Sequence, residues 1–200
     1  MLAQESDAGQ SAVDVDDATL ATRAAMGDVL AFEALLRRHS DRVYGLALRI
    51  LGDRAEAEDV AQEVFVVAWR RLSELADPGA VRTWLFRIAH RHCLTLLRKR
   101  KGRRTDPSDP LPDVGCPVGH AVNQASTDPQ RAAETGAGLD ALRCALRQLP
   151  PPQRAVWLLA EIDGLSYAEI AIVIGASEQA IRGRLSRARS RLAEVMRAWR

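Results

Sequence analysis

The sequence predicts an all-α protein: two small helical domains joined by a flexible linker, the second with a helix-turn-helix. Hydrophobic residues make up 47% of the chain, but aromatic residues only 4%. The core must therefore come from Leu, Val, Ile and Ala side chains, which suit helices packed on helices. Long strand-like runs of Val, Ile and Thr are absent, and apolar residues recur instead with a helical period in two separate regions.

Composition divides the chain into four segments. Residues 1–18 hold five acids and no base, which is typical of a disordered acidic tail. Helical periodicity covers residues 19–101 and resumes over residues 139–200. Between them, residues 102–138 contain five prolines and five glycines without a sustained period, so this segment is predicted to be a flexible linker.

The net charge of +2 hides a segregation of basic residues. Six of the seven residues from Arg98 to Arg104 are basic, and seven arginines stand against one acid, Glu194, between Arg182 and Arg200. Two separate basic patches suggest two contacts with a polyanion. The alternative is that both are ordinary solvated faces.

The cysteines and the hydropathy of the chain indicate the cellular compartment in which the protein resides. Cys93, Cys116 and Cys144 follow no pattern, so they imply no disulfide framework and fit a reducing cytoplasm. The first twenty residues lack the basic start and apolar stretch of a signal peptide. No apolar run approaches the roughly 20 residues that span a bilayer. We expect a soluble, cytoplasmic protein without membrane insertion.

The helix predicted after Asp53 carries an unusual outer face. Its inner stripe runs from Ala61 to Leu75, and Val66 and Trp69 lie on the opposite side. A plain solvated face would not hold these two side chains. An apolar pair rimmed by polar groups suggests a protein partner. Burial against a neighbouring helix of the same domain is the open alternative.

The next predicted helix, residues 81–101, has an apolar face and a basic face. His92 falls on the apolar stripe, where a hydrogen-bonded core histidine is the simpler interpretation than a metal ligand. Arg87, Arg91 and Arg98 form a row on the outer face, and the helix continues into the basic tract at Lys99. A row of guanidinium groups suits contact with phosphate.

The second region contains helix-turn-helix spacing. Ser166 and Glu169 form a capping box that starts a helix. Ala171 allows two helices to cross closely, Gly175 allows a sharp turn, and Ile181 is the apolar residue expected six positions later.

The helix that starts at Ser177 has the pattern of a recognition helix. Its buried stripe is predicted at Ile181, Leu185, Ala188 and Leu192. Small polar residues occupy the opposite strip, with arginines along both edges, which suits entry into the major groove. The candidate DNA contacts are Ser177, Gln179, Arg182, Arg184, Ser186, Arg187 and Arg189.

These residues together resemble the extracytoplasmic-function class of bacterial sigma factors. "AEDVAQEVFVVAWRRL" and "RTWLFRIAHRHCLTLLRKRK" are similar to two consecutive helices of the family's conserved region 2. "LPPPQRAVWLLAEIDGLSYAEIAIVIGASEQAIRGRLSRARSRL" is similar to region 4. The resemblance covers about residues 25–101 and 139–195.

The resemblance implies an alternative sigma factor that binds core RNA polymerase and directs promoter-specific transcription initiation, with no cofactor and no enzymatic activity. Asp59, Gln62, Val66 and Trp69 lie where the family contacts polymerase. Arg87, Arg91, Arg98 and Lys99 lie where it contacts the –10 element, and the second helix of the helix-turn-helix reads the –35 element. An anti-sigma factor is a partner expected by analogy.

Three departures from the family pattern leave the promoter sequence open. His90 and Arg91 stand where the family usually has a basic residue and asparagine, and Thr95 replaces a usual aspartate. Gln179 and Ala180 replace a common Gly-Thr pair. These departures bear on –10 reading and on the recognised sequence rather than on polymerase binding.

Three alternatives remain at this point. An enzyme is disfavoured because phosphate-binding glycine loops and nucleophile–base constellations are not evident. Cys116 and His120 have a tolerable metal spacing but no partner pair. The chain also fits a stand-alone helix-turn-helix regulator that binds DNA without polymerase, or a sigma-like protein that binds polymerase alone.

Overall fold

The structure is a computed structural model that describes residues 15–103 and 141–197. The predictions for residues 1–14 and 104–140, including those for Cys116 and His120, lie outside the described residues.

Eight helices make up the described chain. The first four form what we call the N-terminal bundle: α1 (Asp17–Ala25), α2 (Val29–Leu51), α3 (Arg54–Arg71) and α4 (Val81–Arg103). The others form the C-terminal bundle: α5 (residues 141–148), α6 (Pro151–Trp157) with a π-helical turn at Leu158–Ile162, α7 (Tyr167–Ile174) and α8 (Glu178–Arg197). Every regular element in the described residues is helical, which confirms the all-α prediction and the helix-turn-helix at α7–α8.

The chain becomes helical earlier than the composition predicted. Asp16 accepts a hydrogen bond from the Thr19 amide at 2.8 Å, so α1 begins at Asp17. The Asp17 carboxylate binds Arg38 at 2.6 Å and His39 at 2.9 Å. Helix α1 therefore begins two residues before the predicted end of the tail at residue 18, because Asp16 caps the helix and Asp17 ties it to α2.

Local stop and start signals behave as the sequence predicts. Gly52 ends α2 with φ 71°, and Gly175 ends α7 with φ 73°. Both are left-handed conformations that glycine adopts without steric cost. Ser166 and Glu169 form a complete capping box at the start of α7.

The histidine on the apolar face of α4 is not the one predicted. His90 is only 3% exposed, whereas His92 is half-buried in a surface cleft. The core prediction for His92 was wrong because α4 is covered on two sides, by α2 and α3 and also by α7. The period of apolar residues in a sequence reveals one buried stripe on a helix, so it does not show that a second face of the same helix is also covered.

The two bundles pack against each other and share one continuous apolar core. Helix α7 lies on α4, where Thr83 Oγ1 donates to Glu169 Oε1 at 3.4 Å and the Arg82 guanidinium donates to the Asp163 carbonyl. Arg154 of α6 is 9% exposed and donates to the carbonyl of Ile50 at 2.9 Å.

Cysteine chemistry differs from the expectation at one position. Cys93 is free and fully buried, and burial raises its pKa to about 12, so the thiol stays protonated and inert. Cys144 is disulfide-bonded, which the unpatterned cysteines of the sequence did not indicate. None of the helices in the described residues is long and apolar enough to cross a bilayer.

We expect His90 to make stability depend on pH. Burial, with a smaller effect of the Arg184 charge, lowers its pKa from 6.5 to about 4. The unfolded chain therefore takes up a proton near pH 6.5, while the folded chain resists it down to about pH 4. The contribution of neutral His90 to the free energy of unfolding is therefore fully present above pH 6.5. As the pH falls from 6.5 towards 4, this contribution decreases by about 3 kcal/mol.

Denaturant unfolding of the wild type and His90→Leu between pH 4 and 7 would measure this effect. Between pH 7 and pH 4, the free energy of unfolding of His90→Leu should fall by about 3 kcal/mol less than that of the wild type. His92→Leu is the matched control, since the same substitution there lies outside the interface between the bundles. An equal reduction in both variants would contradict the assignment to His90.

Candidate protein and nucleic-acid interfaces

An apolar groove of about 710 Å³ lies between α2 and α3. Val66 and Trp69 remain 43% and 44% exposed on its wall. The Trp69 ring meets the Phe32 ring edge to face, with centroids 4.9 Å apart. The other lining residues are Leu36, Ser40, Asp41, Tyr44, Ala61, Gln62, Phe65 and Arg70.

The exposure of Val66 and Trp69 argues against the alternative of burial within the bundle. Neighbouring helices of the same bundle contact these side chains but do not bury them. The Phe32–Trp69 ring pair lies at the groove, which the charged residues Asp41 and Arg70 also line. An exposed apolar surface with polar residues beside it is typical of a protein-binding site.

The four residues predicted to contact a protein partner do not all line this groove. Gln62, Val66 and Trp69 do. Asp59 is exposed one turn earlier on α3 and lines a second cleft of about 300 Å³ between α3 and α4. The helical wheel grouped all four because it shows the direction of each side chain but not the neighbouring helix it meets.

The second cleft combines charges of both signs. Asp59 and Glu63 lie on its α3 side, and Arg91 and Lys99 on its α4 side. Thr95 also lines the cleft, and its hydroxyl donates to the Arg91 carbonyl at 3.0 Å. The cleft can therefore offer carboxylate acceptors and cationic donors to one ligand.

The basic face of α4 is only partly available to a polyanion. Arg87 and Arg98 are exposed, as predicted. Arg100, within the basic tract, instead donates to Glu56 at 2.9 Å and to the Leu51 carbonyl at 3.0 Å. Sequence reasoning missed this internal role because the acceptors lie 44 and 49 positions away in the chain.

The recognition-helix pattern of α8 is present in three dimensions. Ile181, Leu185, Ala188 and Leu192 are buried as predicted. The Ser177 hydroxyl accepts a bond from the Ala180 amide at 3.3 Å and caps the helix. Gln179, Ser186 and Arg187 are exposed on the outer strip.

The arginines along the edges of α8 have different surroundings. Arg182 pairs with Glu178 at 3.4 Å and lies over the Tyr167 ring. Arg189 pairs with Glu161 at 2.6 Å.

Arg184 differs from the other predicted contacts on α8. It is half-buried, and its charge lowers the pKa of His90 in α4.

No group of three or more His, Cys, Asp or Glu side chains within residues 15–103 and 141–197 is arranged to hold a metal ion.

Comparison with known proteins identifies two family regions in the same order. Residues 35–103 match Sigma-70 region 2, and residues 139–192 match Sigma-70, region 4. The first match covers α3, α4 and all but the first six residues of α2. The second match covers α7 and all but the last turn of α8.

Full-length relatives show the same relationship. The RNA polymerase sigma-H factor of Pseudomonas aeruginosa is 32% identical over 180 residues, which are 90% of this chain and 93% of that protein. The ECF RNA polymerase sigma factor SigM of Mycobacterium tuberculosis is 33% identical over 180 residues, covering 90% and 84% of the two chains.

A solved structure supports the same assignment. The structure of CnrH in complex with the cytosolic domain of CnrY has a TM-score of 0.66 and 29% sequence identity, covering 91% of this chain and 97% of that one. With both family regions present in order and relatives aligned over nearly their whole length, the chain belongs to the sigma-70 family of RNA polymerase sigma factors, in its extracytoplasmic-function class.

Proposed function

We propose that this protein is an alternative sigma factor that binds core RNA polymerase and directs promoter-specific initiation in the cytoplasm, with no catalytic activity of its own. The observation that supports this most is the exposed apolar groove between α2 and α3, because a stand-alone DNA-binding regulator has no need of it. Family membership favours the same function.

The groove is the proposed polymerase contact. Its shape suits a helix that lays an apolar face between α2 and α3. Val66 and Trp69 supply the exposed apolar area, and Gln62 offers hydrogen bonds beside them. Asp59 lies one turn along the same exposed side of α3, where it contacts the polymerase beyond the end of the groove.

The cleft between α3 and α4 is the proposed contact with the –10 element. Arg91 and Lys99 neutralise phosphates of a separated strand, and Arg87 and Arg98 extend this basic face along α4. Glu63 on the α3 side of the cleft repels phosphate, so it suits the amino group of an unpaired base instead.

Helix α8 is the proposed reader of the –35 element. Gln179, Ser186 and Arg187 are exposed and lie where a recognition helix meets base edges. Ser177, Arg182 and Arg189 flank this strip and reach the phosphates on either wall of the groove. Arg184, which is half-buried, is the remaining candidate contact on this helix.

An anti-sigma factor is a further proposed partner. The similar CnrH structure holds the cytosolic domain of CnrY. In this chain the exposed apolar groove is the surface where a regulator would compete with polymerase, because one groove cannot hold two helices at once.

Transcription in vitro tests the proposed function directly. The purified protein is mixed with sigma-free core polymerase and genomic DNA fragments, and the 5′ ends of the transcripts are mapped. We expect discrete new starts that share upstream elements. Specific DNA binding by the protein alone, without new starts, would instead favour a stand-alone regulator.

Trp69→Ala should weaken binding to core polymerase by about 2 kcal/mol, roughly 30-fold, because it removes a rigid aromatic side chain from the groove. Fluorescence anisotropy with labelled protein and core polymerase measures the affinity. Met26→Ala is the matched control, since Met26 is 77% exposed and does not line the groove. Equal losses in both variants would refute the groove as the docking site.

Arg187→Ala should lower affinity for a promoter found by the mapping experiment by about 1–3 kcal/mol, roughly 5- to 150-fold. Holoenzyme binding to promoter fragments, with single base pairs varied across the –35 element, measures this loss. Relaxed discrimination at one position would indicate a base contact, and a uniform loss a phosphate contact. Arg197→Ala, an exposed arginine in the last turn of α8, is the control and should change little.

A further inference from the structure

A carboxylate lies directly against the proposed DNA-reading helix. Glu161 belongs to the π-helical turn Leu158–Ile162 that follows α6. Its Oε1 atom accepts a hydrogen bond from Nε of Arg189 at 2.9 Å and another from Nη2 of the same arginine at 2.6 Å. The two residues are 28 positions apart in the chain, so this ion pair joins the end of α6 to the middle of α8.

The ion pair contributes little to the stability of the C-terminal bundle. The Arg189 side chain is 56% exposed and the Glu161 side chain 35%. Water solvates both charges in such a position, so the pair adds little to the free energy of unfolding. Helix α8 is held instead by its buried stripe, Ile181, Leu185, Ala188 and Leu192. The main consequence of the pair is a change in what Arg189 can bind.

The contact fills one edge of the Arg189 guanidinium group. A guanidinium binds a phosphate or a carboxylate most strongly through two parallel N–H groups on one edge. Nε and Nη2 of Arg189 form such an edge, and both donate to Glu161. A DNA phosphate must therefore approach Arg189 from another side or displace Glu161, whose negative charge repels the phosphate.

The neighbouring arginine on this side of α8 is less restrained. Arg182 lies seven residues, or about two helical turns, before Arg189. One nitrogen of Arg182 is 3.4 Å from Glu178, and its guanidinium carbon lies 5.7 Å from the centre of the Tyr167 ring. The hydrogen bond with Glu161, and to a smaller extent Tyr167, raises the pKa of Arg189. Tyr167 thus stands beside both arginines, but the short double contact with a carboxylate belongs to Arg189.

We propose that Glu161 determines the specificity of DNA binding by α8: it occupies one edge of Arg189 and thereby prevents this arginine from binding the phosphates of any sequence. This inference rests on the proposed role of α8 as a reader of promoter DNA. On a promoter, base contacts hold α8 in one register, in which Arg189 meets the DNA while Glu161 stays bound. On other sequences, a phosphate contact of Arg189 requires the loss of Glu161. Since specificity is the difference between the two affinities, a group that weakens non-specific binding increases it.

Binding of the full-length chain to DNA tests this role. Glu161→Gln removes the charge and keeps the size of the side chain. Its affinity for a duplex without promoter sequence should rise about fivefold. The slope of log K against log salt concentration should become steeper by about 0.9, the value for one additional phosphate contact. Fluorescence anisotropy with a labelled duplex at several salt concentrations measures both quantities.

The holoenzyme provides the test of specificity. Holoenzymes that contain the wild-type chain or Glu161→Gln are compared on a promoter found by the mapping experiment and on a non-promoter fragment of equal length. Glu161→Gln should lower the ratio of promoter affinity to non-promoter affinity several-fold. A ratio that stays at the wild-type value would refute the proposal.

Glu194→Gln is the matched control. Glu194 is exposed on α8, five residues after Arg189 and about 140° around the helix. The substitution removes the same charge without releasing Arg189, so it should change the salt slope little. Equal effects of the two substitutions would mean that net charge alone is responsible, and the proposal would then be wrong. It would also be wrong if Glu161→Gln left the affinity for the non-promoter duplex unchanged or lowered it.

A double-mutant cycle isolates the effect that passes through Arg189. In an Arg189→Ala background, Glu161→Gln should leave the affinity and the salt slope nearly unchanged, because the guanidinium that it releases is missing. The same gain in both backgrounds would contradict an action through Arg189. Absence of promoter binding by the wild-type holoenzyme would instead count against the proposed function, and binding to the non-promoter duplex would still decide whether Glu161 restrains Arg189.

Discussion

The C-terminal end of α2 is the point on which the two bundles converge. Its last carbonyls have no partner within the helix, and the aligned peptide dipoles give this end a partial negative charge. Arg100 of α4 binds the Leu51 carbonyl, and Arg154 of α6 binds the carbonyl of Ile50 beside it. Two arginines far apart in sequence thus satisfy one helix end, and together they fix α4 and the C-terminal bundle around α2.

This convergence explains why the candidate sites have different surroundings. The apolar groove uses the part of α2 and α3 that neither arginine reaches, so it remains open at the surface. The face of α4 with Arg91 and Lys99 borders a cleft that is also accessible. The opposite face of α4 is covered by α7, and His90 on α4 is buried. The position of α7 therefore decides which faces of α4 a ligand can reach.

The contact between the bundles contains buried polar groups as well as apolar side chains. Asp163 is 8% exposed, and burial raises the pKa of its carboxyl group although the charges of Arg49, Arg82 and Arg42 oppose this rise. Within the described residues, Asp163 Oδ2 and the Nε atoms of Arg49 and Arg82 are buried without a hydrogen-bond partner. Each such group costs roughly 1–3 kcal/mol, so this contact is less stabilising than one built from apolar side chains alone.

The sequence by itself determined the all-α class, several helix caps and the buried stripe of the last helix. The period of apolar residues predicted the buried stripe of α8, and Gly52, Ser166 and Gly175 marked the ends and starts where they lie, because these signals act within one or two helical turns. It also identified Val66 and Trp69 as out of place on a solvated surface. Only the tertiary structure decided that His90 rather than His92 is buried, that Asp59 lies apart from the groove, and that Arg100 binds the end of α2. Each of these depends on which helix lies opposite, and contacts between residues tens of positions apart leave no periodic signal in the chain.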